Sequence, residues 1–120
     1  METDLDLMIC YSLRMGANWK VDEIRLDADA QRVDIYISYV GDRLICPVTG
    51  ETGTLYDYRK ERSWRHVDWF QFPSFVHCRV PRVKSSKGVN AIRVPWSSDS
   101  PQNTEAFESW MNRLHKAMRS

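Results

Sequence analysis

The sequence predicts an α+β fold, in which a small antiparallel β-rich domain lies between a short N-terminal helix and a C-terminal amphipathic helix. Apolar and polar residues alternate with a period of two in residues 32–40 and 65–83, as in half-buried strands. Glycine and proline interrupt these stretches, as turns require. After residue 105, apolar residues recur at i, i+3, i+4, i+7 and i+11, the spacing of one helix face.

The N-terminal segment, residues 1–16, is interpreted as either a short helix or a loose tail. Leu5, Ile9 and Leu13 fall near one face at helical spacing, and Gly16 would end the helix. A β-rich core is expected over residues 17–96. Together with the C-terminal helix, these segments make one domain spanning residues 1–120.

The core begins with strands at residues 21–27 and 32–40, joined as a hairpin by the polar stretch between them. A short extended piece at 44–46, a loop at 47–54 and a connection at 56–62 are expected next. Longer strands are predicted at 65–72 and 74–83, and a last strand at 89–94. Trp69 shares the face of Val67 in this alternation, so we expect it in the core.

The C-terminal helix is predicted over residues 100–118, with Ser100 as its N-cap and Pro101 as its first residue. Its apolar stripe includes Trp110, Met111 and Leu114. A stripe of this kind is typical of a docking face, so these three residues are the candidate interface with a partner protein.

Composition places the chain among globular proteins, since 42% of its residues are hydrophobic and 28% are charged. No apolar run approaches the ~18 residues that span a bilayer, and the N-terminus is acidic, unlike a signal peptide. The chain's three cysteines are too few and too scattered for a disulfide framework. We therefore expect a cytoplasmic protein with reduced thiols.

Charge is distributed unevenly along the chain, although the net charge is only +1. Residues 1–58 carry 5 Lys/Arg and 11 Asp/Glu, whereas residues 59–93 carry 9 and 2. Aromatic side chains are interleaved with this basic segment. Basic side chains neutralise phosphates and aromatic rings stack on unpaired bases, so the segment is a candidate nucleic-acid surface. A solvated basic face that balances the acidic half is the alternative.

Sequence motifs for catalysis are weak, so we expect that this protein is not an enzyme. No nucleophile elbow, phosphate-binding glycine loop or paired histidine motif is present. Cys78 adjoins His77 but alternates with Val76 and Val80, which favours a core position over a nucleophile.

A zinc site is also not expected. The stretch from Cys46 through Pro47 to Gly50 has the outline of a zinc knuckle, but Thr49 stands at the second ligand position. The turn from Ser85 to Gly88, where a second pair of ligands would lie, has neither Cys nor His. One thiolate cannot form a closed zinc site, so no metal and no other cofactor is predicted.

Four uncommon short motifs occur in one order along the chain: Tyr56-Asp57-Tyr58-Arg59, Trp64-Arg65-His66-Val67-Asp68, Val80-Pro81-Arg82-Val83 and Val94-Pro95-Trp96. Together they resemble the N-terminal zinc-binding domain of ISL-three family transposases. The resemblance covers roughly residues 17–118 and implies a zinc-ribbon-like fold from which most zinc ligands have been lost. Cys46 matches the first family ligand, whereas Thr49, Ser85 and Lys87 replace others. The helix after residue 100 resembles the start of the family's helix-turn-helix region.

The resemblance also implies a function in binding nucleic acid without catalysis, as a stand-alone or truncated arm from a bacterial mobile element. DNA is the expected partner, and no membrane or small-molecule substrate is expected. The residues assigned to the contact are Arg59, Lys60, Arg62, Trp64, Arg65, Arg82, Lys84 and Lys87. The alternative is a protein-interaction module that keeps the fold without binding DNA and pairs as a homodimer or with another protein.

Overall fold

The computed structural model describes residues 4–97 and 102–119 and shows a small α+β domain, which confirms the predicted fold class. Two helices and eight strands follow in the order α1 (Asp4–Ser12), β1 (Trp19–Asp27), β2 (Arg32–Tyr39), β3 (Leu44–Ile45), β4 (Thr52–Tyr58), β5 (Arg62–Trp69), β6 (Phe72–Cys78), β7 (Pro81–Ser85), β8 (Gly88–Ala91) and α2 (Glu105–Arg119). The strands form two four-stranded sheets, ordered β1-β2-β6-β5 and β3-β4-β7-β8.

The first sheet is built on the predicted β1–β2 hairpin, which is antiparallel with Asp27 opposite Arg32. In its turn, the Ala30 amide donates to Asp27 Oδ1 at 3.0 Å, and Gln31 adopts a left-handed φ of 55°. β2 then pairs with β6 in parallel, and β6 pairs with β5 in antiparallel. The parallel pair requires the chain to cross from one sheet to the other and return between β2 and β6.

The second sheet contains the largest differences from the predicted strands. β4 occupies residues that we expected to be loop and connection. The predicted strand at 74–83 is two strands in different sheets, because β6 ends at Cys78 and β7 begins at Pro81. Pro81 lacks the N–H that would continue a ladder, so the strand divides just before it. Gly53 of β4 lies so close to β7 that a Cβ would be 2.3 Å from the Lys84 carbonyl oxygen.

The core is centred on Trp64 and Trp96, each 1% exposed, whose rings meet edge to face at 5.3 Å. Trp19 makes a similar contact with Trp96 at 5.0 Å. The buried face of β5 is therefore the one that carries Trp64 and His66. Trp69 is partly buried against the core, as expected of it.

Helix α1 is present at the N-terminus, so the helical interpretation of that segment is correct for Asp4–Ser12. Helix α2 begins later than predicted, at Glu105, and the expected cap at Ser100-Pro101 lies outside the described residues. The cap is Thr104, whose Oγ1 accepts the Phe107 N–H at 3.2 Å. Just before the cap, the Arg65 amide donates to the Gln102 carbonyl and the Thr104 amide to the Arg65 carbonyl, which attaches this segment to the edge strand β5.

No helix within the described ranges is long and apolar enough to cross a bilayer.

Candidate functional site

The turn that follows β3 folds tightly around Cys46. The Cys46 amide donates to the Glu51 carbonyl at 2.9 Å, and the Gly50 amide donates to the Cys46 carbonyl at 2.8 Å. Gly50 has a φ of 77°, a left-handed conformation that glycine adopts without strain. The turn therefore depends on the glycine that the sequence provides at its end.

A second turn, between β7 and β8, lies against the first. Ser85 pairs with Gly88 across it, and its Oγ donates to Cys46 Sγ at 3.2 Å. The Ser86 amide donates to Glu51 Oε1 at 3.0 Å, which joins the two turns a second time. Asn90 Nδ2 of β8 is 4.0 Å from the same sulfur. Two turns far apart in sequence thus enclose one thiol.

Hydrogen bonds to Cys46 lower the pKa of its thiol to about 7, because they stabilise the thiolate. The Ser85 hydroxyl contributes most, followed by the Thr49 hydroxyl, and backbone amides of Thr49 and Val48 add to them. Burial opposes this effect, since the residue is 0% exposed. Hydrogen-bond donors therefore surround the Cys46 sulfur.

This donor set does not fit a structural zinc ion. Such a site takes four sulfur or nitrogen ligands, whereas Cys46 is accompanied here by the hydroxyls of Thr49 and Ser85. In the described part of the chain, no three His, Cys, Asp or Glu side chains cluster in a way that could hold a metal.

We expect the purified protein to contain less than about 0.1 zinc per chain, because a lone thiolate binds zinc too weakly to retain it. Elemental analysis after expression in zinc-supplemented medium measures this directly. A chelator is expected to leave the melting temperature unchanged, since a metal that does not bind the folded state cannot stabilise it. About one zinc per chain, or a fall in melting temperature with chelator, would contradict the prediction.

Most of the exposed basic residues of segment 59–93 form two groups on the surface, and Arg93, also exposed, donates through Nη2 to the Pro47 carbonyl at 3.5 Å. Arg59 and Lys60 lie in the connection between β4 and β5, and the Arg79 guanidinium donates through Nε to the Arg59 carbonyl at 3.2 Å. Lys84 and Lys87 lie at the other end of the second sheet, on β7 and in the turn after it. The structure thus brings together Arg59 and Lys60 with Arg79, which was in the basic segment but not among the assigned contacts.

Three other assigned arginines are held in contacts within the domain. Arg82 makes a two-point ion pair with Asp57, with Nε–Oδ1 at 2.6 Å and Nη2–Oδ2 at 2.5 Å, which holds the pKa of that carboxyl below its usual range. Arg65 Nη2 bonds Asp68 at 2.6 Å. Arg62 covers the Trp64 ring, with its Cζ 4.5 Å from the ring centroid. These arginines are less available to phosphates than the six exposed cations of residues 59–93.

Trp64 was assigned to the nucleic-acid contact, and its position corrects that assignment. Its ring is buried between β5 and the core, so it cannot stack on a base in this conformation. The aromatic rings beside the basic surface are instead Tyr56 and Tyr58 of β4, which are 54% and 46% exposed. Sequence analysis treated residues 56–62 as a connection and so missed that a strand holds these rings beside Arg59.

A cleft of about 360 Å³ opens between the two sheets next to these residues. Tyr58 and Arg79 line it together with Tyr36, Tyr39 and Glu61. The cleft therefore combines three tyrosine rings with one arginine, Arg79, and two carboxylates, those of Asp22 and Glu61.

The candidate partner interface on α2 faces outward. None of the helix's side chains is buried, and Trp110 and Leu114 are 42% and 39% exposed. Met111 is half-buried. The predicted stripe is therefore a surface feature of this chain.

Two facing turns, one at the end of β3 and one between β7 and β8, define a zinc-ribbon type of domain. Residues 42–85, which contain both turns up to Ser85, match the family model described as the zinc-finger of transposase IS204/IS1001/IS1096/IS1165. This segment is thus a zinc-ribbon domain of the ISL-three transposase type, as the resemblance implied. No curated protein and no solved structure shows significant similarity to the chain.

Proposed function

We propose that this transposase-derived module binds nucleic acid without catalysis. The observation that carries the proposal is the set of exposed cations on the zinc-ribbon segment and its flank to residue 93: Arg43, Arg59, Lys60, Arg79, Lys84, Lys87 and Arg93. Among the described residues, the ion pairs include only one between an arginine of residues 59–93 and a carboxylate of residues 1–58, namely Arg82–Asp57. The acidic half therefore leaves most of the basic segment unneutralised, which supports the phosphate-binding interpretation over a self-balanced surface.

Exposed tyrosines beside these cations favour contact with unpaired bases. Tyr58 precedes Arg59 in sequence and lines the cleft with Arg79, and the Arg82 guanidinium carbon lies 5.4 Å from the centre of the exposed Tyr56 ring. Stacking of a base on an aromatic ring contributes about 1–3 kcal/mol and tolerates any sequence. We therefore expect single-stranded DNA to bind at least as well as duplex.

The absence of catalysis remains part of this proposal. Cys78, the one candidate nucleophile beside a histidine, is 2% exposed, and burial raises the pKa of its thiol to about 12. A thiol in that state is a poor nucleophile, which supports its interpretation as a core residue.

Binding to a labelled duplex is expected to weaken steeply with salt. If about five phosphates are contacted, log K falls with log salt at a slope near −4 to −5, so affinity drops a few hundred-fold between about 50 and 200 mM salt. Fluorescence anisotropy with duplex and single-stranded probes measures both affinity and slope. Absence of binding at about 50 mM salt, or a flat salt response, would overturn the proposal.

A double variant tests whether the basic surface is responsible. Arg59→Gln with Lys60→Gln should reduce the slope by about two. The matched control, Lys20→Gln with Arg25→Gln, removes the same charge from exposed positions on β1 and should weaken binding much less. Equal effects of the two pairs would show that net charge alone drives binding and that the assigned surface is wrong.

A protein-interaction module is the second candidate function, and the exposed apolar stripe of α2 favours it. A surface helix usually buries such a stripe against its own domain. Within residues 4–97 and 102–119, Trp110 and Leu114 remain 42% and 39% exposed, so a partner protein would have an apolar face to bind.

A further inference from the structure

Helix α2 is attached to the domain only near its first turn. Thr104 caps the helix and bonds His66 Nδ1 at 2.8 Å, and the Arg65 guanidinium lies 4.8 Å from the centre of the Phe107 ring. From Asn112 to Arg119, every residue is exposed, and Met111 is half-buried. The second half of the helix therefore extends from the domain as an arm.

The apolar stripe of this arm has the spacing of a two-helix seam. Phe107, Met111, Leu114 and Met118 follow at intervals of four, three and four residues, and Trp110 lies at the edge of the same stripe. Residues at these intervals form the apolar seam of paired helices, where each fits between side chains of the facing helix. An isolated helix of this length is marginal in water, so pairing would also stabilise the arm itself.

The charges along one edge of the stripe are self-complementary in an antiparallel pair. Glu108, His115 and Arg119 recur at i, i+7 and i+11 and so follow the same edge. A twofold axis near Asn112 places this edge against the same edge of a second copy, running in the opposite direction. Glu108 of each copy then lies between His115 and Arg119 of the other, and Met111 packs against Leu114.

A parallel pair would not bring this charged edge against its own copy, because it would face the other edge of the second helix, which carries Trp110 and Ala117. Only in the antiparallel pair does Glu108 meet His115 and Arg119 of the second copy. Charge complementarity therefore favours the antiparallel arrangement with a second copy as the occupant. We propose that α2 mediates an antiparallel homodimer through this stripe, an inference that rests on the second candidate function and names its partner.

Sedimentation equilibrium of the full chain between about 1 and 200 μM tests the proposal. The paired surface is small, so we expect a weak dimer with a dissociation constant of order 10 μM. Met111→Ser with Leu114→Ser should abolish the dimer while leaving the fold intact by circular dichroism, because Leu114 is exposed and Met111 only half-buried. A wild-type chain that stays monomeric at about 200 μM would overturn the pairing.

Charge variants test the antiparallel register. Glu108→Arg and Arg119→Glu should each weaken dimerisation about tenfold or more, and the double variant should restore it to within about threefold. Asn103 Nδ2 donates a hydrogen bond to Glu108 Oε1 at 2.7 Å. Glu108→Gln removes the negative charge but keeps an oxygen that can accept this hydrogen bond, so it tests the charge alone. Lys116→Glu is the matched control, because Lys116 lies on the opposite face of α2 and the change should leave the dimer intact.

A different docking mode would give a different result. An apolar groove of about 490 Å³ lies between α1 and β5, lined by Leu7, Met8, Tyr11 and Trp69 among others. If Met8→Ser with Tyr11→Ser abolished the dimer and the charge variants did not, α2 would be inserting into this groove and the helix pair would be overturned. Loss of DNA binding in the anisotropy assay bears on the nucleic-acid proposal alone, so the two proposals fail separately.

Discussion

Replacing Trp64 with alanine is expected to destabilise the domain by about 3–5 kcal/mol. The indole is 1% exposed, contacts Trp96 edge to face and stands opposite Val76 in the β5–β6 ladder. Its removal would leave a cavity between the sheet and the segment that precedes α2. The free energy of unfolding of a domain is typically about 5–15 kcal/mol, and the expected loss is a large part of it. The variant would therefore be partly unfolded at body temperature.

Urea denaturation followed by tryptophan fluorescence and circular dichroism measures this loss. Phe70→Ala is the control, because Phe70 is 90% exposed and its truncation should change stability by less than about 0.5 kcal/mol. A loss of under about 1 kcal/mol for Trp64→Ala would mean that the ring is at the surface, as the sequence assignment to the nucleic-acid contact required.

Acidification from pH 7 to about 4.5 is expected to cost the domain about 2–3 kcal/mol of unfolding free energy through His66 alone. Burial, with a smaller contribution from the Arg65 charge, lowers the pKa of this imidazole from 6.5 to about 4. Between pH 6.5 and about 4, the unfolded chain therefore binds a proton at His66 that the folded chain does not bind. Stability is full above about pH 6.5 and is lost progressively as the pH falls toward 4.

The hydrogen bonds of His66 explain why its neutral form is required. Ser12 Oγ donates to the Ile9 carbonyl at 2.8 Å, so at 3.0 Å from Ser12 Oγ the His66 Nε2–H must be the donor. Nδ1 then accepts from the Thr104 hydroxyl, which in turn accepts the Phe107 amide. A proton on Nδ1 would make that nitrogen a donor, so the Thr104 hydroxyl hydrogen would lose its acceptor at the point where the imidazole joins α1 to the cap of α2.

Urea unfolding at intervals between pH 7 and 4.5 tests this prediction. His66→Gln should flatten the pH dependence, whereas His115→Gln, an exposed change on α2, should leave it as in the wild type. The carboxylates whose pKa is lowered by partners, such as Asp57 beside Arg82, lose their stabilisation mainly at lower pH. A wild-type profile that is flat over this window would contradict the assignment.

Period-two alternation predicted most of the fold because burial imposes it. β1 and β2 are half-buried strands joined by a short polar turn, and the sequence placed both and their hairpin correctly. The same reasoning missed β4, because its burial is slight and its residues, Thr52–Tyr58, do not alternate in hydrophobicity. It also joined β6 to β7, because alternation continues past Cys78 although the chain leaves one sheet there for the other.

The candidate site was predictable in outline but not in geometry. The Cys46 turn and the Ser85 turn were both identified from their residues, since glycine and proline mark such turns locally. Which face of β5 is buried depends on how the two sheets pack. The alternation pattern alone therefore could not show that Trp64 is more deeply buried than Trp69. Which arginines are free likewise depends on neighbours distant in sequence, such as Asp57 for Arg82.

The segment that precedes α2 has a further consequence for solubility. β5 lies at the edge of its sheet, where unpaired amides and carbonyls invite the strands of other molecules to add. Gln102 and Thr104 occupy both backbone groups of Arg65, at the middle of that edge. Residues that position a helix thereby also obstruct the middle of this edge, where a strand of another molecule would otherwise pair.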